Sequence, residues 1–231
     1  MLDELRTVAR LYGEFENPSK VTHEATRNVL SDLQTLRAMT CYIALLPARR
    51  YLSEADFIHF ARLSETLTYR YSTVVGLGTN EIERRYRDAA QLLIASEGAE
   101  VGKAAQILID SMPDSNTFCA AFDKMRMGTQ YILRYTLRRI EAHLYAGAEK
   151  ELKPNNLVHI EHIMPKTLTD SWRAELGNEG VERHLELLNR YGNLTLFYYG
   201  YNIPASNKSF EEKRAYYADS DVILTQELVE H

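Results

Sequence analysis

Cysteine is scarce in this chain, with only Cys41 and Cys119 among 231 residues. Two cysteines so far apart cannot form a disulfide-rich scaffold, and they cannot supply the four thiolates of a zinc ribbon. Each lies within an apolar helical pattern. We therefore expect both to be buried free thiols.

Long apolar runs are also missing. No stretch approaches the roughly 20 apolar residues that a membrane-spanning helix needs. The chain begins Met1-Leu2-Asp3-Glu4, which is acidic where a signal peptide is basic. These two absences predict a cytoplasmic protein without a membrane partner.

An excess of positive charge is lacking too. The formal net charge is −5, from 27 Lys and Arg against 32 Asp and Glu. Residues 151–231 hold 8 of the basic and 13 of the acidic residues, which leaves residues 1–150 balanced at 19 of each. Proteins that hold nucleic acid through overall charge are usually basic. Any contact with nucleic acid must therefore be local.

Helical periodicity dominates the first 147 or so residues. One apolar stripe runs from Val29 to Ile43 and is expected to end at Pro47, and Ser53 then opens the next helix as an N-cap. The polar residues 148–156 end in turn formers, which indicates a domain boundary. We expect a mainly α fold, with an α-helical domain over 1–149 and a small α+β domain over 150–231.

The α+β character comes from two short strand patterns. Residues 157–163 alternate in polarity and are followed by Pro165, and residues 194–198 form a second strand pattern. Ser209 and Glu212 have the spacing of a capping box that opens a last helix. The predicted order is strand, helical insertion, strand, loop, helix.

Polar side chains concentrate at the turns of this unit. His159, Glu161 and His162 crowd into the first strand, although ionisable residues are uncommon in strands. Asn193 begins the second strand, and Asn207 directly precedes the capped helix. For a lone histidine, a solvent-facing place on an edge strand is the better interpretation. The recurrence at successive turns favours a functional site.

Three blocks of sequence together resemble the HNH (His-Me finger) nucleases. They are most similar to the C-terminal nuclease domain of GmrSD-type modification-dependent restriction enzymes. The blocks are His159-Ile160-Glu161-His162-Ile163-Met164-Pro165-Lys166, Tyr191-Gly192-Asn193-Leu194-Thr195-Leu196 and Ser206-Asn207-Lys208-Ser209-Phe210-Glu211-Glu212-Lys213-Arg214. The resemblance implies a ββα-metal core within 150–231. It also implies a metal-dependent DNA endonuclease of a restriction or phage-defence system.

The resemblance assigns a role to each matched position. His162 would be the general base that takes a proton from water, a task that suits an imidazole with an ordinary pKa of about 6.5. Asn193 would orient this base and tie the strands together. Glu161, where the family usually has Asp, and Asn207 would bind Mg²⁺ or Mn²⁺ through oxygen.

Other residues near the motif have weaker assignments. His159 is a candidate for a further metal ligand or for a support behind one. Lys208, Lys213 and Arg214 lie near the start of the last helix, where they are candidates for binding DNA phosphates. Ordinary solvated charges are an equally good interpretation of these three.

The implied partners are DNA and an N-terminal nucleotide-hydrolysing sensor, as a domain or subunit outside this chain. Two alternatives remain open. The acidic charge of 151–231 favours a catalytically silent helical module that binds nucleic acid or protein. His159, Glu161 and His162 would alternatively form a zinc site.

Overall fold

The computed structural model describes residues 2–145 and 157–230. This part of the chain is mainly helical and contains a two-stranded antiparallel sheet, which confirms the predicted mainly α class. The predicted boundary segment, residues 148–156, lies outside the described residues. No helix within the described ranges is both long enough and apolar enough to cross a membrane.

The chain divides into two compact units, Met1–Phe122 and Asp123–His231. The helices described in the first unit are α1 (Leu2–Glu16), α2 (Glu24–Thr35), α3 (Tyr42–Tyr51), α4 (Glu54–Thr68), α5 (Thr79–Ala95), α6 (Val101–Ile109) and α7 (Ser115–Phe122). A π-helical turn, Tyr69–Val74, continues α4. The buried side chains of this unit include Phe15, Leu33, Leu45, Phe57 and Tyr86.

Two local expectations for this unit are wrong. The predicted helix that stops at Pro47 is in fact two helices, because the chain turns at Arg37 with φ 53° and Pro47 lies inside α3. Burial of Ala44 and Leu45 along α3 favours the helix despite the hydrogen bond that proline cannot donate. Cys41 is a buried free thiol as predicted, but Cys119 is exposed, because none of the residues of α7 is buried.

The second unit contains the sheet. Its described elements are α8 (Gln130–Leu144), β1 (Val158–His162), α9 (Asp170–Leu187), β2 (Leu194–Tyr198), α10 (Tyr199–Ala205), α11 (Phe210–Ala218) and α12 (Ile223–Gln226). Strands β1 and β2 pair antiparallel, with Glu161 opposite Thr195 and His162 opposite Leu194. The span predicted for β2 is confirmed, but the loop predicted after it is the helix α10.

Helix α8 belongs to this second unit, which begins at Asp123. The domain boundary expected between 149 and 150 lies outside the described residues. Arg134 donates to the carbonyl of Val158 at 2.6 Å. The Glu141 carboxylate accepts hydrogen bonds from the backbone N–H groups of Ile223 at 2.7 Å and Leu224 at 2.9 Å. These partners lie 24 to 83 residues further along the chain. Local composition around 148–156 carries no sign of them.

Helix α11 is fixed at its start and along its apolar face. The predicted capping box is confirmed: the N–H of Glu212 donates to the Ser209 hydroxyl, and the N–H of Ser209 donates to the Glu212 carboxylate at 3.0 Å. Tyr217 packs against Phe197 of β2, with 5.3 Å between the ring centroids. The capping box and this ring contact together hold α11 beside the end of β1 that carries Glu161.

Candidate active site

His162 lies at the end of β1 and is half-buried. Its Nε2 atom is 3.3 Å from Oδ1 of Asn189. Burial lowers the pKa of His162; the Asn189 hydrogen bond opposes this effect, and the charges of Lys166 and Lys213 add to it. The imidazole is therefore neutral at neutral pH and able to accept a proton.

The chain that leaves β1 is held by Asn193. Its side-chain oxygen accepts from the N–H of Met164 at 2.7 Å, and its side-chain nitrogen donates to the carbonyls of Met164 at 3.1 Å and Leu188 at 2.8 Å. The carbonyl of Asn193 also accepts from the N–H of Ile163 at 3.0 Å. One asparagine thus connects the exit of β1 to the segment that enters β2.

A histidine that the sequence did not single out supports the same turn. His184 of α9 is buried, and its Nε2 is 2.9 Å from the carbonyl oxygen of Pro165. Helix α9 reaches this point across a break at Gly177, where φ is 63°. The stretch after His162 is therefore held from two elements.

Glu161 is the neighbour of His162 on β1, where successive side chains are expected to point to opposite faces, and it forms a buried ion pair. It is 5% exposed and Lys213 of α11 is 0% exposed, with 2.5 Å between Nζ and Oε1. The hydroxyl of Tyr217 donates to the same carboxylate oxygen at 3.3 Å. Burial raises the pKa of Glu161, and Lys213 and Tyr217 oppose that rise.

The ammonium group of Lys213 also reaches the backbone of β1. It donates to the carbonyls of His162 at 2.9 Å and Ile163 at 3.1 Å. Together with Glu161, these acceptors use the three hydrogens of the ammonium group. Burial lowers the pKa of Lys213, and the Glu161 carboxylate opposes this effect.

The ligand set implied by the resemblance does not fit a divalent metal with the side chains in these positions. The ammonium group of Lys213 occupies the Glu161 carboxylate and would repel a cation there. Asn207 is exposed in the turn before α11. Within residues 2–145 and 157–230, no three His, Cys, Asp or Glu side chains come together as a metal-binding group. A zinc site of His159, Glu161 and His162 is therefore not formed.

The other candidates have internal contacts. The ring of His159 lies 5.0 Å from that of Tyr199. Lys208 donates to the Tyr216 hydroxyl at 2.8 Å and lies over its ring. Arg214 donates to Glu211 at 3.1 Å and to the carbonyl of Val229 at 2.7 Å. Because Lys213 is fully buried, its ammonium group is not exposed to a phosphate.

Two residues near His162 were missed in the sequence. Asn189 contacts the imidazole, and the sequence signal for it was only an asparagine just before the second motif block. Lys166 is exposed and near enough to lower the pKa of His162. Lys166 is the last residue of the first motif block, and its positive charge was the only sequence signal for it.

Comparison with known proteins identifies the family. The sequence matches no curated protein. The family model described as "GmrSD restriction endonucleases, C-terminal domain" matches residues 112–231, which is more than half of the chain. The match includes the whole second compact unit and every predicted site residue. The chain therefore belongs to the family of GmrSD restriction endonuclease C-terminal domains.

Proposed function

We propose that this chain is a metal-dependent DNA endonuclease of the HNH type, with His162 as its general base. The observation that carries the proposal is a half-buried imidazole with a lowered pKa and one ring nitrogen engaged by Asn189. It lies inside a unit that belongs to a restriction endonuclease family. Strands β1 and β2 and helix α11 would form the His-Me finger core.

The chemistry of this base is hydrolysis of a phosphodiester. Neutral His162 takes a proton from a water molecule, and the resulting hydroxide attacks the phosphorus atom. The bond from phosphorus to the 3′ oxygen breaks, which leaves a 5′ phosphate and a 3′ oxygen that gains a proton from solvent. Asn193 contributes by holding the chain after His162, so that the ring keeps its direction.

A bound Mg²⁺ or Mn²⁺ would neutralise charge on the scissile phosphate. Dependence on such a metal is part of the proposal, and exposed Asn207 is a candidate ligand. Glu161 is a candidate ligand only in a state in which Lys213 releases its carboxylate. DNA as the substrate, an N-terminal nucleotide-hydrolysing sensor as the partner, and a place in cytoplasmic phage defence complete the proposal.

Cleavage of supercoiled plasmid tests the proposal. The wild-type chain is compared with and without Mg²⁺ or Mn²⁺, and beside His162→Ala and His59→Ala. His59 is an exposed histidine of α4 and serves as the matched control. We expect metal-dependent nicking by wild type and His59→Ala, and a loss of about a hundredfold or more in His162→Ala. Equal cutting by His162→Ala, at an equal melting temperature, would overturn the assignment of the base.

A catalytically silent binding module is the second candidate. The buried Glu161–Lys213 pair favours it, because this pair gives the motif carboxylate a structural role. The acidic excess of residues 151–231 points the same way. If the chain leaves plasmid intact with either metal, both alone and after the sensor is added, the silent module is the better description.

A further inference from the structure

The imidazole of His162 has one identified side-chain partner within the described part of the chain, which is Asn189. The Asn189 atom at 3.3 Å from Nε2 is the amide oxygen, which only accepts hydrogen bonds. The proton of a neutral imidazole must therefore lie on Nε2, and Nδ1 keeps its lone pair. We infer that Asn189 is a positioning residue that fixes this tautomer and leaves Nδ1 of His162 as the proton acceptor.

The backbone of Asn189 is held firmly enough for this role. Its carbonyl accepts from the N–H of Met127 at 2.6 Å, and the N–H of Tyr191 donates to the carbonyl of Met125 at 3.2 Å. Arg126 and Arg190 form an antiparallel bridge between these two contacts. Residues 189–191 are thus paired with residues 125–127, at the very start of the second unit.

The backbone around His162 is held as well. Its carbonyl accepts from Lys213, and Asn193 binds the chain two residues later, at Met164. Asn193 also binds Leu188, the neighbour of Asn189. The side chain of Asn193 therefore connects the segment that follows His162 with the segment that precedes Asn189. The ring torsions of His162 are the freedom that remains, and the Asn189 amide restricts them.

A neutral amide suits this position better than a carboxylate. A carboxylate on Nε2 would stabilise the imidazolium and raise the pKa of the base. The amide oxygen orients the ring without adding charge. The hydrogen bond between Asn189 and His162 needs no bound metal, so it can be tested separately from metal binding.

Nitrogen NMR of the metal-free chain tests the tautomer directly. With ¹⁵N-histidine labelling, above the pH at which the imidazole titrates, we expect a protonated Nε2 and an unprotonated Nδ1 in His162. The resonances are assigned by their loss in His162→Gln. In Asn189→Ala the two ring-nitrogen shifts should move toward each other as the tautomers mix. A proton on Nδ1, or an unchanged spectrum in Asn189→Ala, would overturn the inference.

The catalytic consequence rests on the proposed function, whereas the NMR result does not. In an active enzyme, Asn189→Ala should lower kcat roughly ten- to hundredfold with little change in KM. Asn189→Asp should recover part of this loss, because its carboxylate accepts the same hydrogen. Asn178→Ala, an exposed asparagine of α9, is the matched control and should behave as wild type.

Combination with His162→Ala separates positioning from a general structural role. If Asn189 acts through His162, Asn189→Ala adds no further loss of kcat to a His162→Ala chain. A merely structural residue would reduce the residual rate again and lower the melting temperature in both backgrounds. A further loss in the double variant, or a normal kcat in Asn189→Ala, contradicts the inference. Should wild type itself not cut DNA, the tautomer measurement alone decides it.

Discussion

At the scale of single residues, Lys213 is a strongly constrained side chain beside the candidate site. It is fully buried and donates to Glu161 and to two carbonyls at the end of β1. An uncompensated charge in such a place is costly. The three acceptors compensate the charge of Lys213, so a lysine that the sequence offered as a phosphate contact can lie in the interior.

Lys213→Met should therefore destabilise the protein strongly. The change leaves the Glu161 carboxylate buried without its partner, and we expect a loss of about 3–5 kcal/mol in the free energy of unfolding. Urea denaturation measures it. The double variant Glu161→Leu with Lys213→Met should be less destabilised than Lys213→Met, because no buried charge remains. A single-variant loss below about 1 kcal/mol would mean that the pair is not buried in solution.

Asn193 supports a second prediction, one that uses the direction of its hydrogen bonds. Its side chain accepts once, from Met164, and donates twice, to Met164 and Leu188. Asn193→Asp keeps the acceptor but faces two carbonyls with a carboxylate, while Asn193→Ala removes all three bonds. We expect both to cost roughly 1–3 kcal/mol, with Asp no better than Ala. Thermal unfolding is the readout, and an Asp variant as stable as wild type would contradict these contacts.

At the scale of elements, helix ends carry much of the polar organisation of the first unit. Ser53 caps α4 through the N–H of Asp56, as its place in the sequence predicted. Glu54, in the first turn of α4, then accepts from Arg49 of α3 at 2.8 Å and from Thr26 of α2. Arg49 also donates to Glu14 of α1 at 3.1 Å. One guanidinium group therefore connects three helices.

The Glu54 contacts predict a pH dependence of stability. Burial opposes ionisation of Glu54, but the hydrogen bonds from Thr26 and Arg49 outweigh it and lower the pKa of the carboxyl. Its stabilising contribution is thus complete above the ordinary value of about 4.3 and is lost as the pH falls through the lowered value.

Urea unfolding at about pH 6 and pH 3 measures this effect. Wild type should lose more stability between the two pH values than Glu54→Gln, which has no carboxyl to protonate at this position. Glu83→Gln is a suitable control, because the ion pair of Glu83 with Arg87 is exposed. Equal losses in wild type and Glu54→Gln would contradict the assignment.

At the scale of the whole molecule, the division at 122/123 gives α8 and residues 125–127 to the second unit. Arg134 of α8 binds β1, Glu141 binds the start of α12, and Met127 binds Asn189. The family match, from residue 112 to 231, covers the same region. Both observations place these segments with the candidate nuclease unit.

A pair of fragments tests this division. A fragment of residues 123–231 retains the contacts of α8 and should unfold cooperatively in a thermal melt. A fragment of residues 150–231, cut at the boundary expected from composition, lacks these contacts and should show no cooperative transition and weak near-ultraviolet circular dichroism. Cooperative folding of the shorter fragment would contradict the larger unit.

The sequence by itself determined the features that depend on neighbouring residues. A short strand pattern predicted β2 at Leu194–Tyr198, the spacing of Ser209 and Glu212 predicted the start of α11, and three motif blocks identified the family. Strand alternation and caps act over a few residues, so they can be recognised in a linear pattern. Pro47 shows the limit of such signals, since burial along α3 outweighed the local preference.

Only the tertiary structure decided which side chains meet. Glu161 and Lys213 are 52 residues apart. The resemblance assigned Glu161 to a metal ion, and the place of Lys213 near a helix start suggested a phosphate contact or a solvated charge. The contact of His162 with Asn189, and of Asn189 with Met127, likewise joins distant segments. Whether a carboxylate binds a cation from solvent or a lysine of the same chain depends on burial and on what packs opposite it. Those quantities arise only when the elements come together, and no local period encodes them.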